Sequence, residues 1–148
     1  MSYWIFIVKD HEYQGRRIPA MEVLRNRVEN KFWSLNKRTG NIGKINKGDS
    51  VIFYVASKDI KGFAGTAIIA SPPHPITPEQ KFHTFGFPSE RFDYSIELEN
   101  PVLWENVKEV EPFIESLSFI KNKQKWRSAF RGSIKRITEE DYRMIVKE

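Results

Sequence analysis

The sequence predicts an α+β domain: a small mixed or antiparallel β-barrel with helices at its periphery. Strand-length apolar runs recur at residues 3–8, 51–56 and 63–70. Helical periodicity is confined to short stretches near the two ends. Long polar segments punctuated by glycine and proline join these pieces, and no repeat or low-complexity linker divides the chain. One domain over residues 1–148 is the expectation.

Tyr3-Trp4-Ile5-Phe6-Ile7-Val8 is aromatic and β-branched with no polar alternation, the pattern of a strand buried on both faces. Pro19 fits the first turn of a helix whose Met21, Leu24 and Val28 recur at helical spacing. Residues 29–47 read as mostly loop. Lys47-Gly48-Asp49-Ser50 is a turn that launches the strand at Val51. Residues 56–62 form a hairpin connection to the next strand, where Gly62 and Gly65 mark a bulge or a close strand contact. Pro72, Pro73 and Pro75 end that strand, and a loop to about residue 91 follows. Residues 92–99 alternate apolar and charged, as in a half-exposed strand, and Val102-Leu103-Trp104 suggests a short further one. Short helical turns are expected at residues 111–117 and 123–128. Thr138 followed by Glu139, Glu140 and Asp141 marks the capped start of a last helix with Tyr142, Ile145 and Val146 on its apolar stripe.

A chain of 148 residues with 40% hydrophobic and 29% charged residues can bury a core, and no apolar run approaches a membrane span. The N-terminal run lacks the features of a signal peptide, so the cytoplasm and a monomeric state are the expectations. The absence of cysteine excludes thiolate catalysis, disulfides and Cys-based zinc sites. A net charge of +5 favours polyanionic partners, and its distribution says more. Residues 121–136 carry seven cations and no acid, whereas residues 93–115 carry seven acids against Lys108 alone.

The search for catalytic chemistry is mostly negative. His11, His74 and His83 have no metal-ligand spacing, and neither G-x-S-x-G nor G-x-G-x-x-G occurs. No catalytic residue, metal or cofactor is predicted. Gly40-Asn41-Ile42-Gly43 matches a backbone-clamping GxxG, but that clamp needs a helix on each side, and here a turn and a strand follow. Tyr54, Trp4 and Trp104 read as core. Trp33 and Trp126 stand in polar, basic segments, where they either cap the core beneath a loop or offer a stacking surface.

Trp33 carries the functional expectation. It follows Arg25, Arg27, Asn30 and Lys31, precedes Ser34, Lys37 and Arg38, and stands ahead of Ile52-Phe53-Tyr54 and Phe63-Ala64-Gly65-Thr66-Ala67. With Tyr3-Trp4-Ile5 and Lys47-Gly48-Asp49, this order resembles the EVE domain, a PUA-like fold, over most of residues 1–100. It is also similar to the related YTH domains, which read N6-methyladenine in RNA. The resemblance implies that Trp33 is the first wall of an aromatic cage and that the Ser34 backbone meets the base edge. The loop matching the other walls holds Phe82, Phe85 and Phe87 but no tryptophan. The implied function is therefore non-enzymatic binding of RNA or DNA through a flipped base, modified bases included, with the base open.

On this reading Trp33, Ser34, Asn30, Phe82, Phe85 and Phe87 form the base pocket. Lys31, Lys37, Arg38, Lys44, Lys123, Lys125, Arg127 and Arg131 hold phosphates. Trp33→Ala is expected to abolish binding while the fold survives. Two alternatives stay open at this stage. One is an enzyme acting on a nucleotide or small anion through Asp10, Asp93 or His83; the other is a protein-interaction module anchored by Trp126.

Overall fold

The computed structural model describes residues 1–84 and 92–147. Among these, the elements are β1 (Tyr3–Lys9), β2 (His11–Tyr13), β3 (Arg16–Ile18), α1 (Ala20–Glu29), β4 (Phe32–Leu35), β5 (Ser50–Ala56), β6 (Lys61–Ile69), β7 (His74–Pro75), α2 (Pro78–Phe82), β8 (Tyr94–Glu109), β9 (Ile134–Ile137) and α3 (Glu139–Val146). Short 3-10 turns cover Ile42–Lys44, Glu111–Phe113 and Trp126–Phe130.

The main sheet runs β4-β8-β6-β5-β1-β9, with β7 also on β8. It curls into a half-barrel with PUA-like topology, β4 and β9 being its path ends. β1 and β5 pair in parallel from Tyr3↔Ser50 to Lys9↔Ala56, and α1 lies in the crossover between them. The other pairs in the sheet are antiparallel.

The central strands lack polar alternation because both of their faces are covered. Trp4, Phe6, Val8, Val51, Phe53 and Val55 join one core with α1 and β4. Ile5, Ile7, Ile52 and Tyr54 join a second with Leu117, Ile120, Phe130 and Ile145. Asp49 fastens β1 beside the start of β5. Its buried carboxylate accepts from the Ser2 amide at 2.9 Å, Trp4 Nε1 at 2.9 Å and the Asn46 amide at 3.0 Å. The expected close approach at the glycines is present. A Cβ on Gly65 would lie 2.0 Å from the Val102 carbonyl oxygen, and one on Gly62 would lie 2.4 Å from that of Lys108.

Several expectations are corrected. Residues 29–47 are not mostly loop: Phe32–Leu35 is a fully buried strand, made so by pairing with β8 rather than by its own periodicity. The segment after β6 holds β7 and α2, the latter started by a capping box between Thr77 and Gln80. Residues 94–109 form one bent strand rather than two, with Asn100 at φ 49° and shifts in the β6–β8 register. β9 emerges from the basic segment as an edge partner of β1. β2 and β3 form a small ribbon around Gln14-Gly15, both at positive φ, the turn that suits strand twist.

On α1 the inward stripe is Ala20, Val23, Leu24 and Arg27, so Leu24 alone of the three expected positions is fully buried. Among the described residues no helix is long and apolar enough to cross a membrane.

Candidate nucleic-acid interface

A cavity of about 350 Å³ opens where β4, the end of β1, α1 and the Gly132-Ser133 turn meet. Trp33 lines it from β4. Its ring stacks on Phe53 at 5.2 Å and 20° and tilts against Phe6 at 5.5 Å, so it is both core and wall. Phe92, half-buried, lines the cavity as well and stacks on His11 at 5.2 Å and 29°. Trp33, Phe92 and His11 thus give this space three π-systems.

The polar lining is as specific. Arg27 projects from the inward stripe of α1 and is 1% exposed. Its Nε donates to Ser34 Oγ at 3.1 Å. Its Nη1 donates to the Asn26 side-chain oxygen and to the His83 carbonyl at 3.3 Å, the latter a long contact. Nη2 is buried and finds no partner among the described residues. The guanidinium sits over the rings of Phe32 at 5.0 Å and Phe92 at 5.7 Å. Burial pulls its pKa down to about 10, which leaves it charged at neutral pH.

Asp10, also in the lining, is already committed: Oδ2 accepts from Arg17 Nη2 at 2.7 Å and Oδ1 from the Ala20 amide at 2.8 Å. Burial works to raise its pKa, but the hydrogen bonds from Arg17 and Ala20 outweigh it and hold the carboxyl below its usual value.

The structure brings together only part of the predicted pocket. Trp33 and Ser34 line the cavity. Asn30 does not: it ends α1, its Nδ2 donates to the Asn26 carbonyl at 2.8 Å, and it faces a separate hollow near Gln80, His83 and Glu97. Phe82 is also misplaced by the sequence reading. It lies on α2, 83% exposed and edge-on to His83, outside the lining of the Trp33 cavity. Phe85 and Phe87 lie outside the described residues.

Among the cations, Lys31, Lys37, Arg38, Lys44, Lys125, Arg127 and Arg131 are exposed. Arg127 lies over the Trp126 ring at 4.7 Å. Lys123 is corrected: it is half-buried, with Nζ donating to the Leu117 carbonyl at 3.2 Å, so it braces the second core. Asn36 and Gly132 line the cavity, placing the chain neighbours Lys37 and Arg131 next to its lining, and exposed Lys9 lines it directly.

The sequence reading missed Phe92, His11 and Arg27 as a group. Arg27 had a readable signal, since it continues the spacing of Ala20, Val23 and Leu24. The other candidates settle elsewhere. Trp126 packs edge-on against Phe130 in the second core, and Asp93 accepts from the Lys37 amide at 2.7 Å. Among the described residues no cluster of three or more His, Asp or Glu is arranged to hold a metal ion.

A family model of the EVE domain matches residues 2–148. The chain belongs to the EVE domain family. A UPF0310 protein of Pyrococcus abyssi is 31% identical over 154 aligned residues, covering 98% of this chain and 97% of its own length. Among solved structures, human THYN1 in complex with DNA containing 5-methylcytosine superposes with TM-score 0.61 at 12% identity, covering 98% of this chain and 95% of that one. The YTH domain of Zygosaccharomyces rouxii MRB1 in complex with N6-methyladenosine RNA superposes with TM-score 0.53 at 14% identity, covering 98% and 85%. At such identities the superpositions establish a shared EVE/YTH-type fold.

Proposed function

We propose that this EVE domain is a non-enzymatic nucleic-acid-binding module that holds one flipped base, modified bases included, in the Trp33 cavity. The observation that carries the reading is the cavity itself: space for a base, lined by Trp33, Phe92 and His11, with Ser34 and Arg27 supplying polar contacts. Stacking of a base on an aromatic side chain contributes about 1–3 kcal/mol and needs no catalytic group. A base methyl group placed against a ring adds roughly 0.8 kcal/mol of apolar burial. Lys9, Lys37, Arg38 and Arg131 provide the phosphate attraction, which weakens as salt rises. Two neighbours of the same fold, solved with methylated DNA and methylated RNA, support the reading by analogy.

The test is a panel of single-stranded oligonucleotides carrying cytosine, 5-methylcytosine, adenine or N6-methyladenine, measured at two salt concentrations. Phe92→Ala serves as the pocket variant, because Phe92 is half-buried and its truncation spares the centre of the core. The expected result is salt-sensitive binding that falls about tenfold in Phe92→Ala, in line with one lost stacking contact. Equal binding by Phe92→Ala and the parent protein would sink the pocket assignment.

A further inference from the structure

Arg27 is expensive to keep where it is. A desolvated guanidinium ordinarily sits against a carboxylate, because a buried charge without one costs several kcal/mol. Here none of the described carboxylates forms an ion pair with it, and burial lowers its pKa. Its described partners are all neutral: Ser34 Oγ, the Asn26 side chain and the His83 carbonyl. Among the described residues one guanidinium nitrogen, the buried Nη2, has no hydrogen-bond partner.

Ser34 extends the same logic into the cavity. Its hydroxyl oxygen accepts from Arg27 Nε, so its own proton is left to donate. Ser34 and Arg27 therefore form a wall that gives hydrogen bonds and carries positive charge. The nearby carboxylate of Asp10 does not cancel it, being held by Arg17 and Ala20.

We propose that the Arg27–Ser34 pair is the specificity determinant of this cavity, selecting bases that present a carbonyl oxygen and rejecting adenine. The inference rests on the base-pocket reading and sharpens it. Cytosine, uracil, thymine and guanine each carry an exocyclic carbonyl oxygen, the natural acceptor for arginine and hydroxyl donors. Adenine has none. Its acceptors are ring nitrogens, and on its N1 and N7 edges the exocyclic amino group, methylated or not, turns a donor towards the same wall and leaves buried donors facing each other. Methylation of cytosine at C5 leaves its carbonyl edge unchanged, so the wall accepts cytosine and 5-methylcytosine alike.

The experiment uses the full chain and fluorescein-labelled single-stranded oligonucleotides that differ at one central base: cytosine, 5-methylcytosine, uracil, guanine, adenine or N6-methyladenine. Anisotropy titrations give each Kd. The four carbonyl bases are expected to bind at least about tenfold more tightly than the two adenines, within the lower part of the range for one well-placed polar pairing. Arg27→Met and Ser34→Ala should each compress that ratio to about twofold or less, mostly by weakening the carbonyl bases. Thermal melting confirms that each variant is folded; should Arg27→Met fail to fold, the smaller Ser34→Ala change carries the test.

Adenine binding within twofold of the carbonyl bases in the parent protein overturns the proposal. So does a ratio that neither variant alters. Both results leave the base pocket standing if Phe92→Ala still weakens every oligonucleotide. Loss of that Phe92→Ala effect removes the pocket and the proposal with it.

Discussion

Two buried charged residues on opposite faces of the central sheet, Asp141 and Arg27, are held differently. Beneath the second core, Asp141 is buried and fully engaged: Oδ1 accepts from the Ser118 amide at 3.1 Å and Oδ2 from Ser118 Oγ at 2.6 Å. Its own amide is capped by Thr138 Oγ1 at 3.1 Å. On the opposite face Arg27, which lines the cavity, is equally buried, yet among the described residues its partners are neutral and its buried Nη2 has none. The aromatic packing repeats the contrast. Tyr54 stacks on Phe130 at 4.0 Å within the second core, whereas Trp33 has Phe53 behind it and open space alongside. A buried charge whose bonds are complete serves the fold, and one with bonds left over beside a cavity is fitted for a ligand.

The largest effect that sharpens this comparison is in the aromatic walls. Trp33→Ala and Phe130→Ala should each lower the unfolding free energy by about 3–5 kcal/mol in a denaturant titration. Trp33 is only 5% exposed, so the expectation of a binding loss on an intact fold is corrected: its truncation empties the first core. Binding lost in Trp33→Ala at no stability cost would show that Trp33 is less a part of the core than its packing implies.

Asp141→Ala comes next. It leaves the Ser118 amide and hydroxyl unpaired and should cost about 1–3 kcal/mol of stability, with oligonucleotide affinity unchanged. Arg27→Met should do the reverse. Replacing a buried cation that has no described carboxylate partner with an apolar chain of similar length should keep stability within about 1 kcal/mol of the parent or raise it, while base discrimination is lost. Destabilisation by Arg27→Met as large as that by Asp141→Ala would erase the distinction between the faces.

A smaller effect lies at the edge of the cavity face, where Glu97 gathers His74, Gln80 and Ser71 and ties β7 and α2 to β8. Burial works to lower the His74 pKa, but the bonds to Glu97 and the Pro75 carbonyl raise it overall. Burial likewise works to raise the Glu97 pKa, and the hydrogen bonds from His74 and Ser71 lower it. The Glu97 contribution is complete above its unfolded value of 4.5 and fades as pH falls through its lower folded value. The His74 contribution is complete below its unfolded value of 6.5 and fades as pH rises through its higher folded value. Thermal melts should therefore show the stability difference between the parent and His74→Ala largest between these pH values. Because both groups are partly exposed to solvent, the difference should not exceed about 1 kcal/mol. A difference independent of pH would argue against the ion pair.

Much of the scaffold was legible in the sequence, because residues buried on both faces announce themselves. Residues 3–8 and 51–56 have no polar alternation, and β1 and β5 are covered on both sides. Gly62 and Gly65 were readable as close contacts, and Thr138 as a cap. β4 was hidden because four residues hold no period; only pairing with β8, some sixty residues away, makes them a strand. The Thr77–Gln80 capping box was present in the sequence and passed over among the prolines.

The candidate site was half legible. Trp33 and Ser34 line the cavity, but aromatic residue type alone cannot tell Phe82, which faces solvent, from Phe92, which lines the cavity wall. Arg27 looked like one more surface cation among Arg25 and Lys31. Only its helical phase with Val23 and Leu24 separates it from them.

The most direct measurement is a crystal structure of the protein with a short single-stranded oligonucleotide carrying a central 5-methylcytosine. The account predicts that base flipped into the cavity against Trp33 and Phe92, with its carbonyl oxygen within hydrogen-bond distance of Ser34 Oγ or the Arg27 guanidinium. An oligonucleotide bound with the cavity empty and its bases stacked elsewhere would contradict it.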